Sequence, residues 1–285
     1  MTIKNIVISG GGQSIITFYG ILKAANQSDF WKIENIKNIY GTSAGSLLSV
    51  LMALNLSWDV IDNYLIKRPW EKVFHVGINN VVSVIDEFGI FSIESIQQML
   101  GPLFSYAEIP MDITLKEFYE KNGLNIYIYV TELNNFEYLS ISHHTHPDWK
   151  VVDAVYASCS VPVLFSPIIK DEQCFIDGGI LMDFPLEDCV ANCNEDEIFA
   201  IKKINKTPLG TVTTESKLND YLLVLLKKCL HKVLPKHDVN IKNTVYVNED
   251  MVSIENILEV ASSQEIRSSM IQKGEELFHS FFQSL

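Results

Sequence analysis

Positions 3 to 9, Ile-Lys-Asn-Ile-Val-Ile-Ser, are short, apolar and β-branched, the pattern of a buried strand. Gly10-Gly11-Gly12 ends it. Ile15, Phe18, Tyr19 and Leu22 then recur on one helical face, which predicts a helix from Ile15 to Ala25. Asn38-Ile39-Tyr40 predicts a second strand, Gly41-Thr42-Ser43-Ala44-Gly45 a turn, and Ser46 to about Leu54 a strongly apolar helix. Strand, glycine turn and helix thus occur twice in succession. That alternation predicts parallel strands joined by crossover helices.

From Ser57 to Tyr119 the pattern is mainly helical, with Ser57 and Ser92 as N-caps, Thr114-Leu115-Lys116-Glu117 as a capping box, and breaks at Pro69-Trp70 and Gly101-Pro102. Leu124 to Val130 alternates as a strand, and Phe136 to Ile141 pairs with it across an Asn134-Asn135 turn. Val151 to Ser158 predicts a helix. Ile168-Ile169, Cys174-Phe175-Ile176 and Ile198 to Ile201 predict strands. Helices are expected over Lys217 to Lys236 and Ile254 to Phe282, with a strand at Thr244 to Val247. The polar, Thr-rich stretch from Asn205 to Glu215 is the nearest thing to a boundary. It divides residues 5–205 from a mainly helical extension over 206–285.

The chain has 285 residues, 47% of them hydrophobic, enough for a single large core. Its formal charge of −13 argues against a nucleic-acid partner, which needs clustered Lys and Arg. Five cysteines, an odd number, follow an N-terminus with no h-region, which points to reduced thiols in an intracellular, cytoplasmic chain. Cys189 and Cys193 lie four apart without a second zinc-spaced pair and read as core. No apolar run approaches the ~20 residues of a membrane span. Tyr221 to Leu226 is apolar on every helical face and is followed by Lys227, Lys228, His231, Lys232 and Lys236. Such a helix is either buried or a membrane-docking element.

Gly41-x-Ser43-x-Gly45 has the form of a nucleophile elbow, in which flanking glycines let strand and helix backbones meet and the turn exposes the serine hydroxyl. Gly10-Gly11-Gly12 presents consecutive N–H groups, an anion nest. Neither a Gly-Lys-Ser/Thr nor a dinucleotide fingerprint follows, which leaves an oxyanion hole or a plain turn. Asp177-Gly178-Gly179 follows a short strand and reads as a turn or a catalytic carboxylate. Ser142-His143-His144-Thr145-His146-Pro147 lacks a carboxylate at helical spacing and reads as an exposed loop.

These three glycine motifs, in this order, resemble the patatin-like phospholipase family. The stretch Asp153 to Pro167 and the trailing Pro185 resemble it too, over about residues 5 to 205. The resemblance implies a three-layer α/β/α fold with a mostly parallel central sheet. It implies a Ser–Asp dyad of Ser43 and Asp177, with an oxyanion loop of Gly10, Gly11 and Gly12. Gly41, Gly45, Gly178 and Gly179 are the motif glycines. The implied substrate is a phospholipid or neutral glycerolipid acyl ester at a lipid interface, with no metal or cofactor. Two departures stand out. The family carries Arg or Lys after the glycines, where this chain has Gln13-Ser14-Ile15, and often Asn where it has Asp183. The alternatives are a Ser-His-Asp esterase of the α/β-hydrolase type and a catalytically silent lipid-binding protein that keeps the fold.

Overall fold

The computed structural model describes residues 2–76, 86–205, 210–233, 239–250 and 252–285. The strands are β1 (Asn5–Ile8), β2 (Asn38–Thr42), β3 (Gly89–Phe91), β4 (Asn125–Glu132), β5 (Glu137–Ile141), β6 (Val163–Phe165), β7 (Ile168–Lys170), β8 (Gln173–Asp177), β9 (Ile198–Asn205) and β10 (Thr244–Glu249). The helices used below are α1 (Ile15–Gln27), α2 (Ala44–Ala53), α3 (Trp58–Lys67), α4 (Ile93–Tyr106), α5 (Leu115–Asn122), α6 (Val151–Cys159), α7 (Leu186–Asn192), α8 (Leu218–Val233), α9 (Ile254–Ser262) and α10 (Gln264–Gln283).

The central sheet runs β10-β9-β1-β2-β4-β8-β7, with β5 also on β4. Strands β10, β9, β1, β2 and β4 are mutually parallel, and β8, β7 and β5 are antiparallel additions. Side-chain alternation sends Ile6, Ile8, Ile39, Ile128, Val130, Phe199 and Ile201 into a large core shared with α1, α2, α6 and α10. The opposite face, with Val7, Tyr40, Tyr129, Ile198 and Ala200, packs on Leu186 and Cys189 of α7. The protein is therefore a three-layer α/β/α sandwich, and burial on both faces explains the near-continuous apolar strands. Cys189 is core, as expected, and all five cysteines are free.

Three local expectations fall differently. Pro102 does not end a helix but lies inside α4. A proline there leaves the carbonyl four residues back without its N–H partner. That carbonyl, Gln98 O, accepts a guanidinium N–H of Arg68 at 2.8 Å instead. Ser92 occupies the N-cap of α4 but makes no capping bond; its hydroxyl donates to the Glu94 carboxylate. The predicted helix from Ile254 to Phe282 is two helices. Ser253 caps the first by accepting from Asn256 N–H, and Ser263 caps the second by accepting from Ile266 N–H. Ser57 and the Thr114–Glu117 capping box cap α3 and α5 as expected.

The C-terminal segment joins this framework directly. β10 pairs in register with β9, and α10 lies along α1. A Cβ on Gly20 would strike the backbone of Ile271, and one on Gly274 the carbonyl of Thr17, so the two helices touch backbone to backbone. Arg267 at the start of α10 is buried. Its guanidinium donates to Val260 O and Ala261 O at 2.7 Å, and to Ile66 O at 2.7 Å and Arg68 O at 3.3 Å. One cation thus meets the carbonyl-rich C-terminal ends of α3 and α9, where the helix dipoles favour it. A second polar stitch is buried Glu249 at the end of β10, whose Oε1 accepts from Thr17 Oγ1 of α1 and Lys273 Nζ of α10, both at 2.7 Å.

Burial works to raise the Glu249 pKa, but hydrogen bonds led by that of Lys273 outweigh it and hold the carboxyl below its ordinary range. A depressed carboxylate stabilises the fold above its unfolded pKa and loses that contribution as pH falls through the folded value. Glu249→Gln is therefore expected to cost about 1–2 kcal/mol at neutral pH, with the gap to wild type closing below about pH 4. Urea unfolding across pH measures this; a gap that does not change with pH would refute it.

Candidate active site

Ser43 sits between β2 and α2 with φ 53° and ψ −118°, a left-handed conformation that costs a non-glycine residue of order 1–3 kcal/mol. The surroundings hold it there. Its N–H donates to Ser158 Oγ at 2.8 Å, and Ser158 Oγ donates to Tyr129 O at 2.6 Å, which ties the elbow to α6 and β4. A Cβ on Gly45 would collide with the carbonyl of Ile8, so α2 can leave the turn across β1 only with glycine there. Gly41 faces the Gly45 backbone in the same way.

Asp177 ends β8. The sheet register pairs Thr42 with Tyr129 and Val130 with Asp177. Ser43 and Asp177 therefore flank β4 at one level, two strand spacings or about 10 Å apart at Cα. Asp177 Oδ1 accepts the N–H of Gly179 at 2.7 Å, and its main-chain N–H donates to Ser160 O at 2.9 Å. Both Ser43 and Asp177 are buried. Gly178 packs where a Cβ would strike Tyr129 O, next to Thr42.

The loop Gly10–Gly12 lies on the other side of Ser43. Gly10 N–H donates to Asp183 O at 2.9 Å, and a Cβ on Gly10 would stand 3.6 Å from Ser43 Cβ. Gly10 is thus a packing position whose N–H is engaged, unlike the donor role expected for it, and Gly11 and Gly12 remain as candidate donors. A Cβ on Gly179 would lie 2.9 Å from Asp177 Oδ1 and 3.0 Å from Asp183 Oδ1. Asp183 therefore places a second carboxylate between Asp177 and the loop. Cys159 closes the group: burial, then the charge of Asp177, pushes its thiol pKa up, while hydrogen bonds to Ser46 and Ser43 pull it down. Ser158 and Cys159 fall in the stretch from Asp153 to Pro167 that resembles the family, but nothing in the sequence alone gives either a place beside Ser43.

Ser43 opens on a cavity of about 130 Å³. Its walls include Ile16, Leu47, Trp70, Phe74, Met99 and Phe165, and they are almost wholly apolar. No described histidine lines it. The predicted histidine loop is half-exposed: His143 stacks on Tyr119 at 3.7 Å, and His146 Nδ1 meets Thr145 Oγ1 at 2.9 Å. Among the described residues no cluster suits a metal ion, and no helix is long and apolar enough to cross a membrane. Helix α8 is neither wholly buried nor wholly exposed. Leu223 and Val224 are in the core, whereas Leu218, Tyr221, Leu222 and Leu225 face outward. Lys236 and His237 lie outside the described residues, as do residues 206–209 of the polar stretch and the side chains of Lys227, His231 and Lys232.

A strained serine at a strand-to-helix elbow, a buried carboxylate across one strand and an apolar cavity thus lie together at one end of the sheet. Residues 6–190 match the Patatin-like phospholipase family. The chain belongs to the patatin-like phospholipase family, a class of lipid ester hydrolases. It is 24% identical over 278 residues to the "Probable lipid hydrolase 463L" of Invertebrate iridescent virus 6, covering 96% of this chain and 87% of that one. It is also 24% identical over 216 residues to the "Triacylglycerol lipase ptl3" of Schizosaccharomyces pombe, covering 69% of this chain and 42% of that one. VipD from Legionella pneumophila has the same fold, with a TM-score of 0.58 at 18% identity, covering all of this chain and 67% of that one.

Proposed function

We propose that the protein cleaves acyl esters of glycerolipids in the manner of a phospholipase A, through an acyl-enzyme on Ser43 with Asp177 as general base. The observation that carries this reading is the strained elbow of Ser43 opening directly onto an apolar cavity. The cavity suits a fatty acyl chain and offers little to a polar headgroup. Asp177 takes the Ser43 hydroxyl proton as Oγ attacks the ester carbonyl. The tetrahedral oxyanion is met by the N–H groups of Gly11 and Gly12, beside the N-terminus of α2. Asp177 then returns the proton to the leaving alcohol, and water, activated by the same carboxylate, releases the fatty acid. The test is fatty-acid release from phospholipid vesicles and from emulsified triacylglycerol by the purified protein. Release from either supports the proposal; none from both, by folded protein, contradicts it.

The outward residues of α8 have the spacing i, i+3, i+4, i+7 of a single apolar stripe. The helix rests on β6, whose Phe165 lines the cavity. This stripe is the face on which the enzyme meets a lipid surface, with Lys228 exposed beside it. Leu222→Asp with Leu225→Asp is expected to weaken vesicle binding about 10-fold or more, while hydrolysis of a short soluble ester stays at wild-type rate. Unchanged vesicle sedimentation would assign the stripe another role.

A further inference from the structure

Gly10-Gly11-Gly12 is followed by Gln13-Ser14-Ile15, with no Arg or Lys where the resemblance leads one to expect a basic residue. The fold brings a cation to the loop from elsewhere. Lys203, on β9 next to β1, directs its Nζ to Gly11 O at 3.1 Å. Its main-chain N–H donates to Ser9 Oγ at 2.9 Å, and Ser9 Oγ donates in turn to Gly10 O at 3.0 Å. Ser9 N–H also donates to Ile201 O at 3.0 Å. The end of β9 therefore grips the start of the glycine loop through main chain and side chain together. Lys203 is half-buried, where screening by water is weaker than at a free surface.

The carbonyl that receives the ammonium has a second role. Gly11 C=O and Gly12 N–H belong to one peptide unit, so a cation drawing electron density onto that oxygen makes the N–H at the other end a stronger donor. Gly11 O also accepts Ser14 N–H at 3.1 Å, which fixes the orientation of the peptide plane. Gly12 has φ +55°, the conformation that turns successive N–H groups inward as an anion nest. We infer that Lys203 is a positioning residue of the oxyanion site, which orients and polarises the Gly11–Gly12 peptide toward the tetrahedral intermediate and takes the place of the absent loop cation. The inference rests on the proposed Ser43 acyl-transfer chemistry. Lys203 touches neither substrate nor Ser43 in this role; it acts through the peptide.

The test uses steady-state hydrolysis of p-nitrophenyl butyrate, a soluble ester, by the full chain and by Lys203→Met, Lys203→Gln and Lys203→Arg. Losing a charge one peptide unit removed from the oxyanion is expected to lower kcat on the order of 10-fold, less than losing a direct donor. KM and Tm stay at wild-type values in Met and Gln, and Arg restores most of kcat. Wild-type kcat in Lys203→Gln overturns the inference, as does a change confined to KM. If Lys203→Met does not fold, the Gln and Arg pair still decides, because both keep a donor and differ in charge; equal kcat in the two overturns it. Ser43→Ala separates the two layers of the account. An inactive Ser43→Ala beside fully active Lys203 variants removes only the role of Lys203, whereas an active Ser43→Ala removes the acyl-enzyme itself.

Discussion

Ser43→Ala is expected to lower fatty-acid release by at least ~10³-fold, the scale on which a covalent nucleophile is lost. The fold should survive, because the bonds that hold the elbow are made by the Ser43 main chain: its N–H to Ser158 and its carbonyl to Ser46 N–H and Ser46 Oγ. Alanine retains a Cβ and hence the strain at φ 53°. Ser43→Gly should be equally inactive yet more stable than Ser43→Ala, by about 1 kcal/mol, since glycine adopts this region freely. Thermal unfolding beside activity measures both. A Ser43→Ala protein that keeps wild-type turnover would remove the serine from the mechanism. A Ser43→Gly protein no more stable than Ser43→Ala would remove the strain from the account.

Asp177→Asn is expected to cost at least ~10²-fold in kcat/KM, the usual scale for a general base. The substitution is close to isosteric. Asparagine can keep an oxygen on the N–H of Gly179, so the turn after β8 should persist and the loss should be chemical. Asp183 supplies the control. Its carboxylate stands near the same point, within 3.0 Å of a Cβ built on Gly179. Asp183→Asn is expected to remain active, because the base lies elsewhere. Full activity in Asp177→Asn combined with inactivity in Asp183→Asn would transfer the base to Asp183.

The first two parallel strands and the helices after them were legible because each strand is a short apolar run followed by a glycine turn and an apolar helix. Those signals are local, and β1, β2, α1 and α2 lie close to where the pattern puts them. The elbow was legible for the same reason, since the motif is contiguous. What could not be read locally depends on partners brought by the fold. Pro102 continues a helix because Arg68, distant in sequence, takes the carbonyl it frees. The division at Ser263 rests on a serine cap inside an otherwise continuous helical pattern. The Gly10 N–H is engaged by Asp183, far along the chain, so three glycines that look equivalent in sequence are not equivalent in the site. Lys203 meets the glycine loop only because β9 is the neighbour of β1, a fact of strand order that no spacing along the chain encodes.

A nucleophilic Ser43 can be read from the intact mass of the protein after reaction with a fluorophosphonate, followed by peptide mapping. One adduct per chain is expected, on the peptide that contains Gly41-Thr42-Ser43-Ala44-Gly45, with no adduct in Ser43→Ala and much slower labelling in Asp177→Asn. An adduct on any other residue, or labelling of Ser43→Ala to the same extent as wild type, would contradict it.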